Sequence, residues 1–301
     1  MRAVLRLLRV SLSPSAAADV VAGLVFASGG TWPRESRAWW LVPASLGVYH
    51  GAMALNDWND RGHDARTRPT RPIPAGAVRA STALILGLGL VAAGIACAWA
   101  ALPASAVWMS VVAALALFYD LKGRGNWSGP LLLAACRAGN LGSGIFFVVR
   151  AEHAPFDALV WLPCAAYGLY VLVVSRLGRM EDAEDGEPLG SRPSMLLVMA
   201  ASCLFLPLLV PPILVPERTV PFLLAVAAAY GLVHAARRMR PWTRALVERE
   251  MGACLRRLLV FAAIVALLRA DRSRADAWIA ALLILSGYWV AHALRRAFPP
   301  S

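Results

Sequence analysis

Acidic side chains are scarce in this chain. Only 18 Asp and Glu stand against 30 Lys and Arg in 301 residues, and charged residues of all kinds make up 16%. Soluble domains carry about a quarter charged residues, so this shortage argues against a soluble fold. Hydrophobic residues reach 59% and the mean hydropathy is +0.59. This balance is typical of a protein that crosses a membrane several times.

Cysteine is also sparse, and its spacing argues against two kinds of site. The sequence has no C-x-x-C pair that would indicate a zinc site or a redox pair. The five cysteines lie in or beside apolar segments, at Cys97, Cys136, Cys164, Cys203 and Cys254. We expect them to be reduced, buried packing residues.

Long hydrophobic runs, by contrast, recur along the whole chain. A membrane-spanning helix needs about 20 mostly apolar residues. Runs near that length lie at 15–30, 38–55, 81–100, 104–119, 129–149, 157–175, 195–215, 220–236, 257–270 and 276–294. Because the run at 257–270 is short, we predict nine or ten helices. The expected fold is an all-α, polytopic membrane helical bundle in a single domain that covers residues 1–301.

The net charge of +12 follows the topology of such a bundle. With the N-terminus inside, Lys and Arg are about three times as frequent on the inner side as on the outer side. A nucleic-acid partner is therefore not needed to explain the charge.

Arg2, Arg6 and Arg9 recur at helical spacing, which favours an interfacial helix on the inner leaflet over a cleaved signal. We expect an integral protein of a bacterial cytoplasmic membrane, in contact with membrane lipids and with a cytoplasmic N-terminus.

A dense group of charges follows the second hydrophobic run, in the segment LNDWNDRGHDARTRPTRPIPAGAV at 55–78. Asn56, Asp60 and Asp64 recur every four residues, so a helix would place them on one face. Three oxygen ligands on one stripe suit Mg²⁺, which completes its octahedron with waters and substrate phosphate oxygens. The pattern predicts a magnesium site.

Basic residues come directly after these carboxylates. Arg66, Arg68 and Arg71 precede Pro72 and Pro74, which end any helix. Cations beside carboxylates indicate an anionic ligand bridged by a metal. A diphosphate fits this arrangement, because it can bind the arginines directly and the carboxylates through the metal. A lone DxxxD would more often be a solvated loop whose charges neutralise one another. The longer pattern N-D-x-x-D-x-x-x-D, followed by R-P-x-P-x-G, favours the binding site.

The segment from Asn56 to Asp64, with RPIPAG behind it, resembles the first aspartate-rich motif of the UbiA superfamily of intramembrane prenyltransferases. The resemblance implies about nine helices around a central cavity that opens to the cytoplasmic side. It also implies two aspartate-rich motifs at the mouth of that cavity, which hold Mg²⁺ bound to an isoprenyl diphosphate. Asp60 and Asp64 would then be catalytic.

The superfamily has its second motif, DxxxD, after the sixth helix, where this chain reads SRLGRMEDAEDGEPLGSRP. Glu181 and Asp185 stand at the matching positions, so the first is Glu rather than Asp. Either Glu181 is the ligand, with Asp185 as catalytic partner, or Asp182 takes its place. The same carboxylates could instead form a solubilising loop. This version of the motif resembles the EboC-like branch of the superfamily.

Other residues fit the same resemblance. Lys122 resembles the lysine that family members use on the diphosphate, although a positive-inside anchor explains it equally well. Arg137 lies about mid-depth in the fifth predicted span, where a charge usually faces a cavity or a partner. Asn140 follows on nearly the same face, and we expect both to point into the cavity. Tyr167 and Tyr170 are candidates to stabilise a carbocation.

Three functions are consistent with these residues. In the first, Mg²⁺ together with Arg68, Arg71 and Lys122 neutralises a departing pyrophosphate, and a lipophilic or aromatic acceptor takes the prenyl group. In the second, the allylic cation is captured by a double bond of its own chain, which would make the protein a membrane terpene cyclase. The third is a transporter or structural membrane component whose site has degenerated.

Overall fold

The computed structural model describes residues 1–121, 125–152, 158–180, 189–211, 215–238 and 241–298. Within these ranges it contains α-helices and short 3-10 helices but no strands, which confirms the all-α prediction. The α-helices are α1 Arg2–Leu7, α2 Ser13–Ala27, α3 Leu41–Thr67, α4 Ala80–Ala101, α5 Pro103–Leu121, α6 Ser128–Ala151, α7 Leu162–Gly178, α8 Arg192–Cys203, α9 Thr219–Arg238, α10 Arg244–Leu267 and α11 Asp276–Ala297.

Eight segments of the described residues are long and apolar enough to cross a membrane, judged by length and composition. The helices α3 and α10 do not belong to that set, although they have 27 and 24 residues. Each combines an apolar half with a charged half. The hydrophobic run at 257–270 looked short because α10 already begins at Arg244, where the Thr243 side chain accepts a hydrogen bond from the Leu246 amide.

The long helix α3 carries the acidic motif. The predicted span ended at residue 55, but the helix continues to Thr67 and so contains Asn56, Asp60 and Asp64. At 1.5 Å per residue, α3 is about 40 Å long, which exceeds the roughly 30 Å of a bilayer core. Its last turns are therefore long enough to reach beyond the apolar layer. We call the side of the bundle on which α3 ends the motif end.

Two parallel helices, α2 and α6, touch through their backbones. A Cβ atom added to Gly144 would lie 2.6 Å from the Val20 carbonyl oxygen and 2.6 Å from the Leu24 nitrogen. Gly23 faces the Leu141 carbonyl in the same way. Small residues permit this close approach between membrane helices. The contact matters for the site because Asp19 and Asn140 lie one turn before these glycines.

The glycine contact can be tested with one substitution and a matched control. Gly144→Leu should lower the midpoint of thermal unfolding in detergent, because the new side chain has no room against the α2 backbone. Overpacking of this kind costs about 1–3 kcal/mol or more. Gly89→Leu places the same side chain on α4, where nothing lies within 4 Å of the added Cβ atom. Equal unfolding midpoints for the two variants would contradict the assignment.

Candidate functional site

A cavity of about 150 Å³ lies between α2, α3, α5 and α6. Most of its surface is apolar, and one wall carries the two polar residues of α6 that the sequence pointed to. The lining residues are Ala16, Ser45, Val48, Tyr49, Ala52, Met53, Val112, Ala116, Tyr119, Asp120, Leu133, Cys136, Arg137 and Asn140. The structure therefore brings Arg137 and Asn140 together at a cavity.

A buried polar cluster forms the wall behind this cavity. Arg137 Nη2 lies 3.1 Å from Asp19 Oδ2 and donates to the Tyr167 hydroxyl at 2.8 Å. The Tyr167 hydroxyl donates to Asp19 Oδ1 at 2.6 Å. Asn140 Nδ2 donates to Asp19 Oδ2 at 3.0 Å and to the Ala16 carbonyl at 2.9 Å. One carboxylate of α2 thus holds side chains from α6 and α7.

Asp19 is a site residue that sequence reasoning missed. It is fully buried, and it compensates a guanidinium that would otherwise be an isolated charge inside the bundle. The signal was present, because Asp19 is an acidic residue within the predicted first span. Charges inside membrane segments usually pair with one another, so an acid and Arg137 in two predicted spans favoured a pair. In the described part of the chain, Arg137 Nε still has no hydrogen-bond partner.

At the motif end, two acidic residues of α3, Asp57 and Asp64, are bound to arginines. Asp57 Oδ1 lies 3.0 Å from Arg9 Nη2 and 3.5 Å from Arg71 Nη1. Arg71 Nη1 also contacts Asp64 Oδ2 at 2.6 Å, and Asn56 Nδ2 donates to Asp57 Oδ1 at 3.4 Å. Asp57, Asp64 and Arg71 are all buried. Arg9, which was expected on a membrane-surface helix, instead reaches into the motif.

This network changes the roles that the sequence suggested for two residues. Arg71 was expected on the diphosphate and Asp64 on a metal, but in the structure they bind each other. A ligand that used Arg71 Nη1 and Asp64 Oδ2 would have to open this ion pair. Arg68 is exposed at the end of α3, and Asp60 is half-buried. Asp60 thus lies between the buried Asn56 and Asp64 on the same helix.

Four predicted site residues lie outside the described residues, namely Lys122, Glu181, Asp182 and Asp185. The chain before and after Lys122, and the end of α7 before Glu181, are described and lie at the motif end. Asn59 of α3 donates to the carbonyl of Asp120, at 3.0 Å, next to the end of α5. Arg176 and Arg179 at the end of α7 bind backbone carbonyls of the segment that follows residue 124. The helix α7, which precedes the second acidic segment in the sequence, therefore ends at the same end of the bundle as α3.

Tyr170 has a packing position in the structure. Its side chain is fully buried, its hydroxyl donates to the Cys254 carbonyl at 2.8 Å, and its ring centroid lies 5.7 Å from that of Phe261. The tyrosines on the cavity surface are instead Tyr49 of α3 and Tyr119 of α5. Neither was singled out from the sequence, because the sequence does not show which face of an apolar helix lines a cavity.

The donors at the end of α3 fit a magnesium ion by their chemistry. Asn56, Asp60 and Asp64 supply amide and carboxylate oxygens, and Mg²⁺ takes oxygen ligands and commonly only one or two carboxylates from the protein. Among the residues that the structure describes, no three His, Cys, Asp or Glu side chains form a ready metal cluster. One of the described carboxylates is occupied by Arg71, and the second motif lies outside the described ranges.

Comparison with known proteins gives consistent matches. The family model of the UbiA prenyltransferase family matches residues 17–260. The chain is 31% identical over 191 residues to the digeranylgeranylglyceryl phosphate synthase of Methanopyrus kandleri, covering 63% of this chain and 67% of that protein. It is 35% identical over 106 residues to the enzyme of the same name from Natronomonas pharaonis, covering 34% of this chain and 38% of that protein.

The third relative carries a different name. The chain is 35% identical over 123 residues to the bacteriochlorophyll synthase 33 kDa chain of Cereibacter sphaeroides, covering 37% of this chain and 39% of that protein. Two of the three curated relatives are thus matched over about two-fifths of their length. Among solved structures, the apo structure of a UbiA homolog from Aeropyrum pernix K1 superposes with a TM-score of 0.64 at 17% identity, covering 84% of this chain and 96% of that chain.

The buried pair of Asp19 and Arg137 makes a prediction about stability. Asp19→Leu should lower the free energy of unfolding by about 3–5 kcal/mol, because it leaves a buried charge without its partner. The double variant Asp19→Leu/Arg137→Met should recover much of that loss, since it removes both charges. Thermal unfolding in detergent measures both. A double variant no more stable than Asp19→Leu would show that the pair does not compensate a buried charge.

Proposed function

The chain belongs to the UbiA prenyltransferase family, and from that premise we propose that it transfers an isoprenyl group from an allylic isoprenyl diphosphate to an acceptor inside the membrane. One observation carries the proposal. The charged motif at the end of α3 follows directly on the part of the same helix that lines an apolar cavity, through Tyr49, Ala52 and Met53. A single helix would thus connect the binding site of the charged diphosphate to the binding site of the hydrophobic prenyl chain.

The basic residues would bind the diphosphate. Arg68 is exposed and Arg71 is held in the motif by Asp64 and Asp57, while Lys122 follows α5. Arginine and lysine form charge-assisted hydrogen bonds to phosphate oxygens and favour the negative charge that develops on a departing pyrophosphate. Because Arg71 is already paired, binding would exchange one carboxylate contact for a phosphate contact.

Magnesium is part of the proposal. Asn56, Asp60 and Asp64 would hold it on the first motif, and Glu181 or Asp182 with Asp185 on the second. When bound, it supplies neutralisation of charge on the leaving diphosphate. The oxygen-only donor set on α3 supports this choice, since hard divalent cations prefer such ligands.

The cavity would shelter the allylic cation that remains after ionisation. Its wall is largely apolar, which keeps water away from a reactive carbon. Tyr49 and Tyr119 lie on its surface, and aromatic faces stabilise a cation without acting as nucleophiles. Arg137 is positively charged, so its pairing with Asp19 lowers its repulsion of that cation. Asn140 would orient a polar group of diphosphate or acceptor.

The acceptor is proposed only as a lipophilic or aromatic molecule that enters from the membrane. The names of the relatives concern two different products, digeranylgeranylglyceryl phosphate and bacteriochlorophyll. A family with such variety shares the prenyl transfer rather than one acceptor.

A product assay tests the function directly. Purified protein in detergent receives geranyl, farnesyl or geranylgeranyl diphosphate, with or without Mg²⁺ and with or without a membrane lipid extract, and both pyrophosphate and organic products are followed. We expect a prenylated adduct that requires both Mg²⁺ and the extract. A cyclised hydrocarbon without any extract would replace the proposal by a terpene cyclase. No pyrophosphate release under any condition would favour a transporter or structural component.

The first motif is tested by Asp60→Asn, which keeps the shape of the side chain but removes its charge. We expect turnover to fall by about 100-fold, the usual scale for losing one group that stabilises developing charge. Asp271→Asn removes a carboxylate from an exposed position outside the motif and should keep parental turnover. Parental turnover in Asp60→Asn would contradict the assignment of Asp60 as a catalytic magnesium ligand.

The second motif is tested by comparing Glu181→Gln with Asp182→Asn. The variant that removes the ligand should need a higher Mg²⁺ concentration for half-maximal turnover, while the other should resemble the parent. Asp185→Ala is expected to shift the same concentration whichever of the two is the ligand. If none of these variants changes the Mg²⁺ dependence, the second acidic segment is a solubilising loop.

A further inference from the structure

A second pocket, of about 320 Å³, lies between the N-terminal end of α2, α10 and α11. We call it the α11 pocket. It is at the motif end, because Gly287 of α11 packs on Pro14 at the start of α2, 3.2 Å from an added Cβ atom to the Pro14 Cβ. None of its lining residues lines the cavity described above. The family match ends at residue 260, so α11 lies outside the matched range.

Positive charge without compensation marks this pocket. Arg256 of α10 and Arg295 of α11 line it, and His292 lies beside Arg295. No Asp or Glu belongs to its lining. Among the described residues, neither arginine forms an ion pair, whereas Arg9, Arg71 and Arg137 all do. Two guanidiniums from two helices that lack an ion pair are suited to bind an anion.

A buried hydroxyl points to the same ligand chemistry. Ser11 lines the α11 pocket and is only 1% exposed. Its Oγ atom has no hydrogen-bond partner in the described part of the chain. Buried polar atoms are nearly always satisfied, so an unsatisfied one at the wall of a pocket indicates a partner that completes it. A phosphate oxygen could accept from Ser11 and from both arginines.

The remaining lining indicates a lipid as the source of the phosphate. Leu12, Leu255 and Leu259 make the pocket apolar below its charged rim. A second groove, of about 350 Å³, shares Pro14 with it and continues between α2 and α11 towards Trp32. That groove is lined by apolar residues apart from two serines. A soluble phosphate would leave these surfaces unused, but acyl chains would cover them.

We propose that the α11 pocket binds the phosphate head group of an anionic phospholipid, with an acyl chain along the α2–α11 groove. The lipid joins α2, which carries Asp19, to α10 and α11. Because it binds the folded bundle and bridges three helices, it stabilises the protein by an amount that rises with the logarithm of its concentration once the site is mostly occupied. The site is separate from the proposed prenyl transfer, so either assignment can fail without the other.

The experiment measures stabilisation by lipid. The full chain, purified in a neutral detergent, is titrated with phosphatidylglycerol, phosphatidylcholine or inorganic phosphate, and the midpoint of thermal unfolding is followed. We expect phosphatidylglycerol to raise the midpoint and the other two probes to leave it nearly unchanged. Arg256→Gln and Arg295→Gln should each raise the phosphatidylglycerol concentration that is needed for a given rise in this midpoint by about tenfold. This is the effect of losing one charge-assisted hydrogen bond. Ser11→Ala should raise the required concentration less.

Arg296→Gln is the matched control, since Arg296 neighbours Arg295 on α11 but is exposed and does not line the pocket. If Arg296→Gln raised the required phosphatidylglycerol concentration as much as the pocket variants do, the proposal would be overturned in favour of diffuse charge attraction. Equal stabilisation by phosphatidylcholine would overturn the requirement for an anionic lipid, and equal stabilisation by inorganic phosphate would overturn the lipid as source. Should Arg256→Gln fail to fold, Arg295→Gln at the end of α11 carries the same test.

Discussion

The ion pair between Asp19 and Arg137 is the interaction on which the centre of this molecule depends. An unpaired guanidinium inside a membrane bundle is costly, and removing its partner leaves that cost in full. The pair forms because Gly23 and Gly144 let α2 and α6 meet backbone to backbone. It then fixes Asn140 and Tyr167 around the same carboxylate. The polar wall of the cavity is therefore a product of helix packing.

Buried charges are also paired at the motif end, but there the pairs involve the acidic motif itself. Asp57 and Asp64 are compensated by Arg9 and Arg71, so the acidic motif is neutralised from within the chain. A metal and a diphosphate would supply the same two signs of charge from outside. Arg71 thus has two alternative partners, a carboxylate now and a phosphate in the proposed complex. The observed ion pairs allow a charged site to stay folded beside an apolar cavity.

Comparison of α3 and α10 shows how far the sequence could be read. The hydrophobic runs predicted spans at 38–55 and 257–270. The charged halves of α3 and α10 fell outside these runs, and each helix extends beyond its run by more than three turns. Hydropathy reports only the part of a helix that lies in the apolar layer. The all-α class, the acidic stripe on α3 and the position of Arg137 and Asn140 at a cavity were nevertheless predictable, since they depend on composition and helical period.

Local pattern therefore determined the class of protein, the family resemblance and the side chains that we propose for binding a diphosphate. Only the tertiary structure decided which residues meet: Asp19 with Arg137, Arg9 with Asp57, and Arg256 with Arg295 around one pocket. The physical reason is that helical period relates residues three or four apart, whereas these partners are separated by tens of residues. Their pairing depends on which helices can pack closely, and that is a property of the whole bundle.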